Sequence, residues 1–223
     1  MPLPNANFRM PYKRLRDKLI KWNFPMQATS NLKTSDLKRY ILTGAPGSGK
    51  TVILRQLEVD GFSVVEEAAT DMIALMHAQG LDEPWTTQSF IDEIAHLQRI
   101  RLLQSSCAPG EVQFHDRSIF CTAALSDYLG RPRSLVLSRE LERVVAQQFY
   151  QPEAFFIRGL GFIEPTAARR ISFEDAIRFE RVHEQVYRDF GFQLVLVEPG
   201  APMDRANQIK AFLGEKVNLP SGE

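Results

Sequence analysis

Eight consecutive residues, Gly44-Ala45-Pro46-Gly47-Ser48-Gly49-Lys50-Thr51, constrain this chain more than any other stretch. They spell G-x-x-x-x-G-K-[ST]. Immediately before them, Tyr40 to Thr43 read as a short buried strand; immediately after, Thr51 to Glu58 read as the opening turns of a helix. Strand, glycine loop and helix in that order are the setting in which the pattern has physical meaning. Gly44, Gly47 and Gly49 permit positive φ and keep Cβ atoms out of the bend, so successive N–H groups can converge on an anion. The helix start adds unpaired N–H groups and the positive end of its dipole. Lys50 is placed to reach the β- and γ-phosphates of a nucleoside triphosphate, and the Thr51 hydroxyl to hold Mg²⁺. Ala45, Pro46, Ser48 and Val52 complete the expected nucleotide-binding set.

Composition narrows the class. A chain of 223 residues holds one α/β domain with a full core and is too short for two generous ones. Cys107 and Cys121 show neither metal nor disulfide spacing, which reads as reduced, buried thiols in a reducing, cytoplasmic compartment. Metal-ligand spacing is absent among His77, His96, His115 and His183, so no zinc site is expected. No run of 18 apolar residues predicts a membrane span, and the first ten residues do not resemble a secretory signal. Charge is uneven: residues 1–37 carry a net +5 and the remainder −5. The mildly acidic body offers no footprint for nucleic acid.

One domain preceded by an N-terminal extension follows. Residues 1–37 form a basic extension with four prolines and one helical set, Tyr12 to Trp22, suited to an anionic membrane or a partner, or simply flexible or docked. Met26 is an alternative start. Residues 38–223 form the nucleotide-binding body. Phe62 to Glu66 reads as a second strand whose carboxyl end delivers Glu66 and Glu67, followed by a helix over 68–79. In open parallel sheets ligands bind at the carboxyl ends of strands, so this acidic pair lies beside the glycine loop or caps the helix. A loop over 84–89 leads to a periodic helix over 88–104, with Ile91, Ile94, Leu97 and Leu102 or Leu103 inward. Glu111 to Asp116 is the third strand, and Asp116 stands where a metal-binding acid belongs, unless it caps the helix that starts near Ser118. The pair Asp116-Arg117 differs from the Asp-Glu of hydrolytic motors. An arginine there can hold a second anionic or polar substrate, which tilts the reading toward transfer.

Helix 135–149, strand 154–157, an irregular stretch, a long helix capped by Ser172, strand 193–197 and helix 203–213 complete the chain. Arg158, Arg169 and Arg170 cluster around the irregular stretch, where planar guanidinium forks suit phosphate oxygens. Five apolar strands separated by helices give a parallel sheet covered on both faces, a three-layer α/β/α architecture.

The loop, the acidic Val-Val-Glu-Glu, the run Phe-His-Asp-Arg-Ser and Arg-Arg-Ile-Ser-Phe-Glu-Asp-Ala together resemble the small bacterial AAA-domain "predicted ATPase" proteins. Those are similar to the ribosylnicotinamide kinase domain and, more distantly, to deoxynucleoside and thymidylate kinases. The resemblance implies a P-loop NTPase fold with strand order 2-3-1-4-5, ATP with Mg²⁺ on Lys50 and Thr51, and Asp116 near metal or substrate hydroxyl. It further implies Arg117 near the acceptor or its phosphate, Arg169 as a lid arginine, and Glu66 or Glu67 as base or substrate clamp. The acid that relatives carry shortly before the lid arginine is replaced by Thr166 and Ala167, so that role does not transfer. The leading expectation is an ATP-dependent phosphotransferase on a small-molecule acceptor, with a slow, partner-signalling ATPase as the alternative. A GTPase switch lacks its Asn-Lys-x-Asp base-reading motif. A homodimer is allowed.

Overall fold

A computed structural model of the chain describes residues 37–105, 111–159 and 172–216. Residues 1–36, Cys107, Arg169 and Arg170, and the expectations attached to them, lie outside the described residues. In chain order the elements are β1 (Lys38–Thr43), α1 (Lys50–Val59), β2 (Ser63–Val65), α2 (Ala68–Ala78), a 3₁₀ turn (Pro84–Thr86), α3 (Phe90–Gln104) and β3 (Val112–Asp116). Then follow α4 (Ile119–Tyr128), α5 (Leu135–Ala146), β4 (Glu153–Ile157), α6 (Phe173–Asp189), β5 (Gln193–Val197) and α7 (Pro202–Lys216).

The five strands pair in parallel in the order β2-β3-β1-β4-β5. This is the P-loop NTPase arrangement, in the order that the resemblance implied. Period-two alternation sorts the core. Ile41 and Ala154 face a cluster built by α2 to α6, whereas Tyr40, Leu42, Phe114 and Phe155 face Ile53, Leu54 and Leu57 of α1 and Ile209 and Leu213 of α7. Burying such side chains contributes about 1.5–3 kcal/mol each, and here it fixes which face each helix covers.

The differences from sequence expectation have local causes. β2 is shorter than 62–66 because it is an edge strand paired only to β3 over Ser63–Val65, and the chain turns into α2 right after. The stretch 84–89 contains a 3₁₀ turn opened by Pro84, closed by Thr86 N–H to Glu83 O at 3.0 Å. On α3, Leu102 is buried and Leu103 exposed, which decides the open alternative. Ser172 caps α6 as expected, its Oγ accepting from the Asp175 N–H at 3.1 Å. His115 is buried, with Nε2 2.9 Å from Gln113 Oε1.

β1 is flanked by β3 on one side and β4 on the other, so the crossovers leave it in opposite directions and a crevice opens at its carboxyl end. The glycine loop fills that crevice. The register pairs Leu42 with Asp116, which delivers the acid beside the loop.

Candidate functional site

Loop geometry follows from its glycines. Gly44 has φ +127°, and a Cβ there would stand 2.3 Å from the Ile157 carbonyl oxygen, so the loop passes directly against the end of β4. Gly49, at φ 86°, occupies the position before α1, and no side chain caps that helix. Among the described residues the first-turn N–H groups of α1 therefore have no side-chain cap, the condition for anion binding at a helix start. Lys50 folds back into the loop. Its Nζ donates to Gly44 O at 3.2 Å, Ala45 O at 2.7 Å and Ser48 Oγ at 3.1 Å. Burial, reinforced by the nearby Arg117, lowers its pKa to about 7.

Beside it, the Thr51 hydroxyl donates to Asp116 Oδ2 at 3.1 Å. The other carboxylate oxygen, Oδ1, is buried with no hydrogen-bond partner among the described residues. Burial and repulsion from Glu67 push the Asp116 carboxyl up, against the pull of Lys50 and Arg117. A hydroxyl and an unsatisfied carboxylate oxygen are hard donors of the type that magnesium takes, so Thr51 and Asp116 fit that ion. Asp116 does not cap α4; the preceding position there is Ser118, without a side-chain cap.

The acidic pair after β2 separates. Glu66 turns outward to an ion pair with Arg55 on the exposed face and leaves the cluster. Glu67 turns inward. Arg117 Nε lies 2.6 Å from Glu67 Oε1, an ion pair although the N–H is not aimed along that line. Thr70 Oγ1 donates to Glu67 Oε2 at 2.8 Å. Burial alone would raise the Glu67 carboxyl, but Arg117 and Lys50 outweigh it and hold it below the ordinary carboxylate range.

Arg117 itself adopts φ 70°, rare for a residue with a side chain. Its N–H donates to Leu42 O at 3.0 Å, and its Nη1 lies 3.3 Å from Gly44 O and 3.2 Å from His183 Nε2. His183 Nδ1 is 3.0 Å from the Phe179 carbonyl. A carbonyl only accepts, so Nδ1 carries the proton and Nε2 presents a lone pair to Arg117. Burial, then Arg117, keep the His183 pKa well below its ordinary value. It is a neutral acceptor that orients the arginine.

Two hollows flank the loop. The larger, about 520 Å³, is lined by Pro46, Gly47, Gly49, Lys50, Thr51 and Val52 and by Glu67, Arg117 and His183. Trp85, Phe90, Tyr128 and Phe179 supply its aromatic walls. Gln98 also lines it, with Oε1 accepting from Thr122 Oγ1 at 2.8 Å. The smaller, about 330 Å³, lies between Ala45, Pro46 and Gly47 and the side chains of Arg158, Phe173, Ile177, Glu180 and Pro199. Arg158 lines it with its fork already paired, Nη1 to Glu180 Oε1 at 2.9 Å.

Fourteen of the expected site residues fall within the described residues; twelve form the loop or adjoin it, Arg158 lines the smaller hollow beside it while paired to Glu180, and Glu66 turns away to Arg55. Sequence reasoning missed His183, Gln98, the aromatic walls and Arg205, whose guanidinium reaches the back of the loop. Only the spacing of His183 on a buried helical face carried any trace of them.

A sequence profile of the AAA domain matches residues 39–205. The chain belongs to the AAA domain family. Its fold is shared with a NadR protein solved in complex with NAD and AMP-PNP, at TM-score 0.60 and 16% identity, over 83% of this chain and 52% of that one. A NadR protein in complex with NR gives TM-score 0.63 and 14% identity, over 84% and 52%. Deoxyadenosine kinase from M. mycoides, solved with products dCMP and a flexible dCDP, gives 0.51 and 12%, over 80% of this AAA-family chain and 100% of the kinase. The chain thus spans about half the length of the NadR proteins it matches. Comparison with curated proteins returns no match. Among the described residues no helix is long and apolar enough to cross a membrane.

Proposed function

We propose that this AAA-family protein is an ATP-dependent phosphotransferase, moving the γ-phosphoryl group to a hydroxyl of a small acceptor that carries a planar ring. One observation carries the reading. The loop lines a cavity of about 520 Å³ together with Glu67 and Arg117. Attack by water needs no such cavity; a nucleoside-sized acceptor does. Its four aromatic walls suit a flat heterocycle, and Gln98, with its carbonyl taken by Thr122, offers the cavity its amide N–H groups.

The loop N–H groups would receive the β- and γ-phosphates, and Lys50 would exchange its three loop oxygens for theirs. Thr51 and Asp116 would hold a magnesium ion, whose chemistry is to offset phosphate charge. Glu67, held ionised, would accept the acceptor hydroxyl's proton as that oxygen bonds to the γ-phosphorus and the bond to the ADP oxygen breaks. Arg117, steadied by His183, would stabilise the transferring group. The smaller hollow suits the donor's base, stacked near Phe173 and Pro199. Arg169 and Arg170, outside the described residues, would offset charge that develops on the transferring phosphates. Solved neighbours of this fold that hold AMP-PNP or dCMP support a nucleotide in such a site.

The test is ADP release with a panel of nucleosides present, and mass spectrometry for the phosphorylated product. At least one acceptor raises release about tenfold or more over water, and Glu67→Gln lowers kcat by about 10²–10⁴ while leaving ATP affinity within a few-fold. ADP release that no acceptor accelerates would favour the regulatory ATPase instead.

A further inference from the structure

Arg205 lies behind the loop, outside both hollows. Only 2% of it is exposed, although its helix, α7, is otherwise an ordinary amphipathic cover for the sheet. Its fork grips two backbone carbonyls far apart in sequence: Nη1 donates to Ser48 O at 2.6 Å and Nη2 to Arg158 O at 2.7 Å. Nε has no partner among the described residues, and Glu198 acts on the guanidinium only as a charge at longer range. Sinking a guanidinium this deep is costly without a carboxylate partner, so the two carbonyls are what the fold obtains for it.

The consequence comes from the peptide bond. It is planar and trans, so the C=O of Ser48 and the N–H of Gly49 point in opposite directions. Holding Ser48 O toward Arg205 turns the Gly49 N–H to the face of the loop opposite Arg205. That N–H has no backbone acceptor among the described residues. Gly49 packs close to the guanidinium: a Cβ there would meet Arg205 Nη1 at 3.2 Å. The second bond, to Arg158 O, ties the same fork to the end of β4, against which Gly44 packs.

We propose that Arg205 is a positioning residue for the phosphate loop: by clamping the Ser48–Gly49 peptide from behind, it presents the Gly49 N–H to the donor nucleotide's β-phosphate. This rests on the reading of the loop as a nucleotide site. Lysine cannot substitute, since a single ammonium on a flexible stem does not span two carbonyls with fixed geometry.

Calorimetric titration of the full chain with ATP, ADP and AMP tests it, in wild type, Arg205→Met and Arg205→Lys, with thermal unfolding run alongside. Loss of one charge-assisted hydrogen bond predicts that Arg205→Met weakens ATP and ADP by about tenfold or more and AMP by less than about threefold, because AMP has no β-phosphate. Arg205→Lys falls between, and decides the matter if the methionine variant does not fold. Unchanged ADP affinity in a folded variant overturns the proposal, as does an equal loss for AMP and ADP, the pattern of general loosening. Absence of ATP binding in wild type would instead sink the nucleotide reading itself, and this proposal with it.

Discussion

Replacing Gly44 by alanine adds one methyl group at the point where the loop leaves β1, and the structure says what that methyl would meet. Its Cβ would stand 2.3 Å from the carbonyl oxygen of Ile157, with the carbon and nitrogen of the same residue at 3.2 and 3.3 Å. All three are backbone atoms of β4, which is hydrogen-bonded to β1 on one side and β5 on the other, so the strand cannot retreat. The φ of +127° adds a conformational cost. Overpacking costs about 1–3 kcal/mol and a backbone conformation reserved for glycine about 1–3 kcal/mol, so Gly44→Ala should lose about 2–6 kcal/mol. In a domain of this size that lowers the midpoint of thermal unfolding by about 5–20 °C. Gly61→Ala is the internal control, because φ there is +94° but nothing lies within 4 Å of the added atom. It should show only the conformational part, about 1–2 kcal/mol. Urea and thermal denaturation of both variants measure the difference. If Gly44→Ala unfolds within about 2 °C of Gly61→Ala, the close approach of loop and strand is not what requires glycine here, and the argument from that contact fails.

Two further outcomes follow from the site. Lys50 has a pKa of about 7, depressed by burial and by Arg117, so the folded protein binds fewer protons than the unfolded chain above that pH and its stability rises from about pH 7 toward the ordinary lysine range. Bound phosphates favour the protonated form, so nucleotide affinity should run the other way, weakening by up to about tenfold per pH unit above 7; calorimetry at pH 6, 7 and 8 checks it, and Lys50→Ala should abolish the dependence. Asp116→Asn keeps an acceptor for Thr51 but removes the charge on the orphaned oxygen, so magnesium should no longer strengthen ATP binding, whereas in wild type chelation with EDTA weakens it by about tenfold or more; equal magnesium dependence in both would remove Asp116 from the metal-binding set.

Much of this site was legible from neighbouring residues alone. The glycines of the loop, the helix that follows and the strand that precedes are local matters, set by allowed φ, by helix start chemistry and by apolar periodicity. The same local logic set Asp116 at a strand end and Ser172 at a helix start. It failed at the edges of elements. Whether Glu66 or Glu67 faces Lys50 depends on where β2 stops pairing with β3, and that edge strand ends at Val65. A single residue more of pairing would exchange the two carboxylates between solvent and site.

The chain's sequence by itself therefore determined the phosphate loop, the succession of strands and helices along the chain and, from their alternation, the layer architecture, because each element is governed by residues within a few positions of one another. Only the tertiary structure decided the inward acid, the aromatic cavity and the partners of two buried side chains. Arg117 meets His183 across 66 positions, and Arg205 meets Ser48 across 157. Contacts of that span are fixed by which faces of α6 and α7 pack on the sheet, a choice made by the shape of the whole core, and no periodicity along the chain records it.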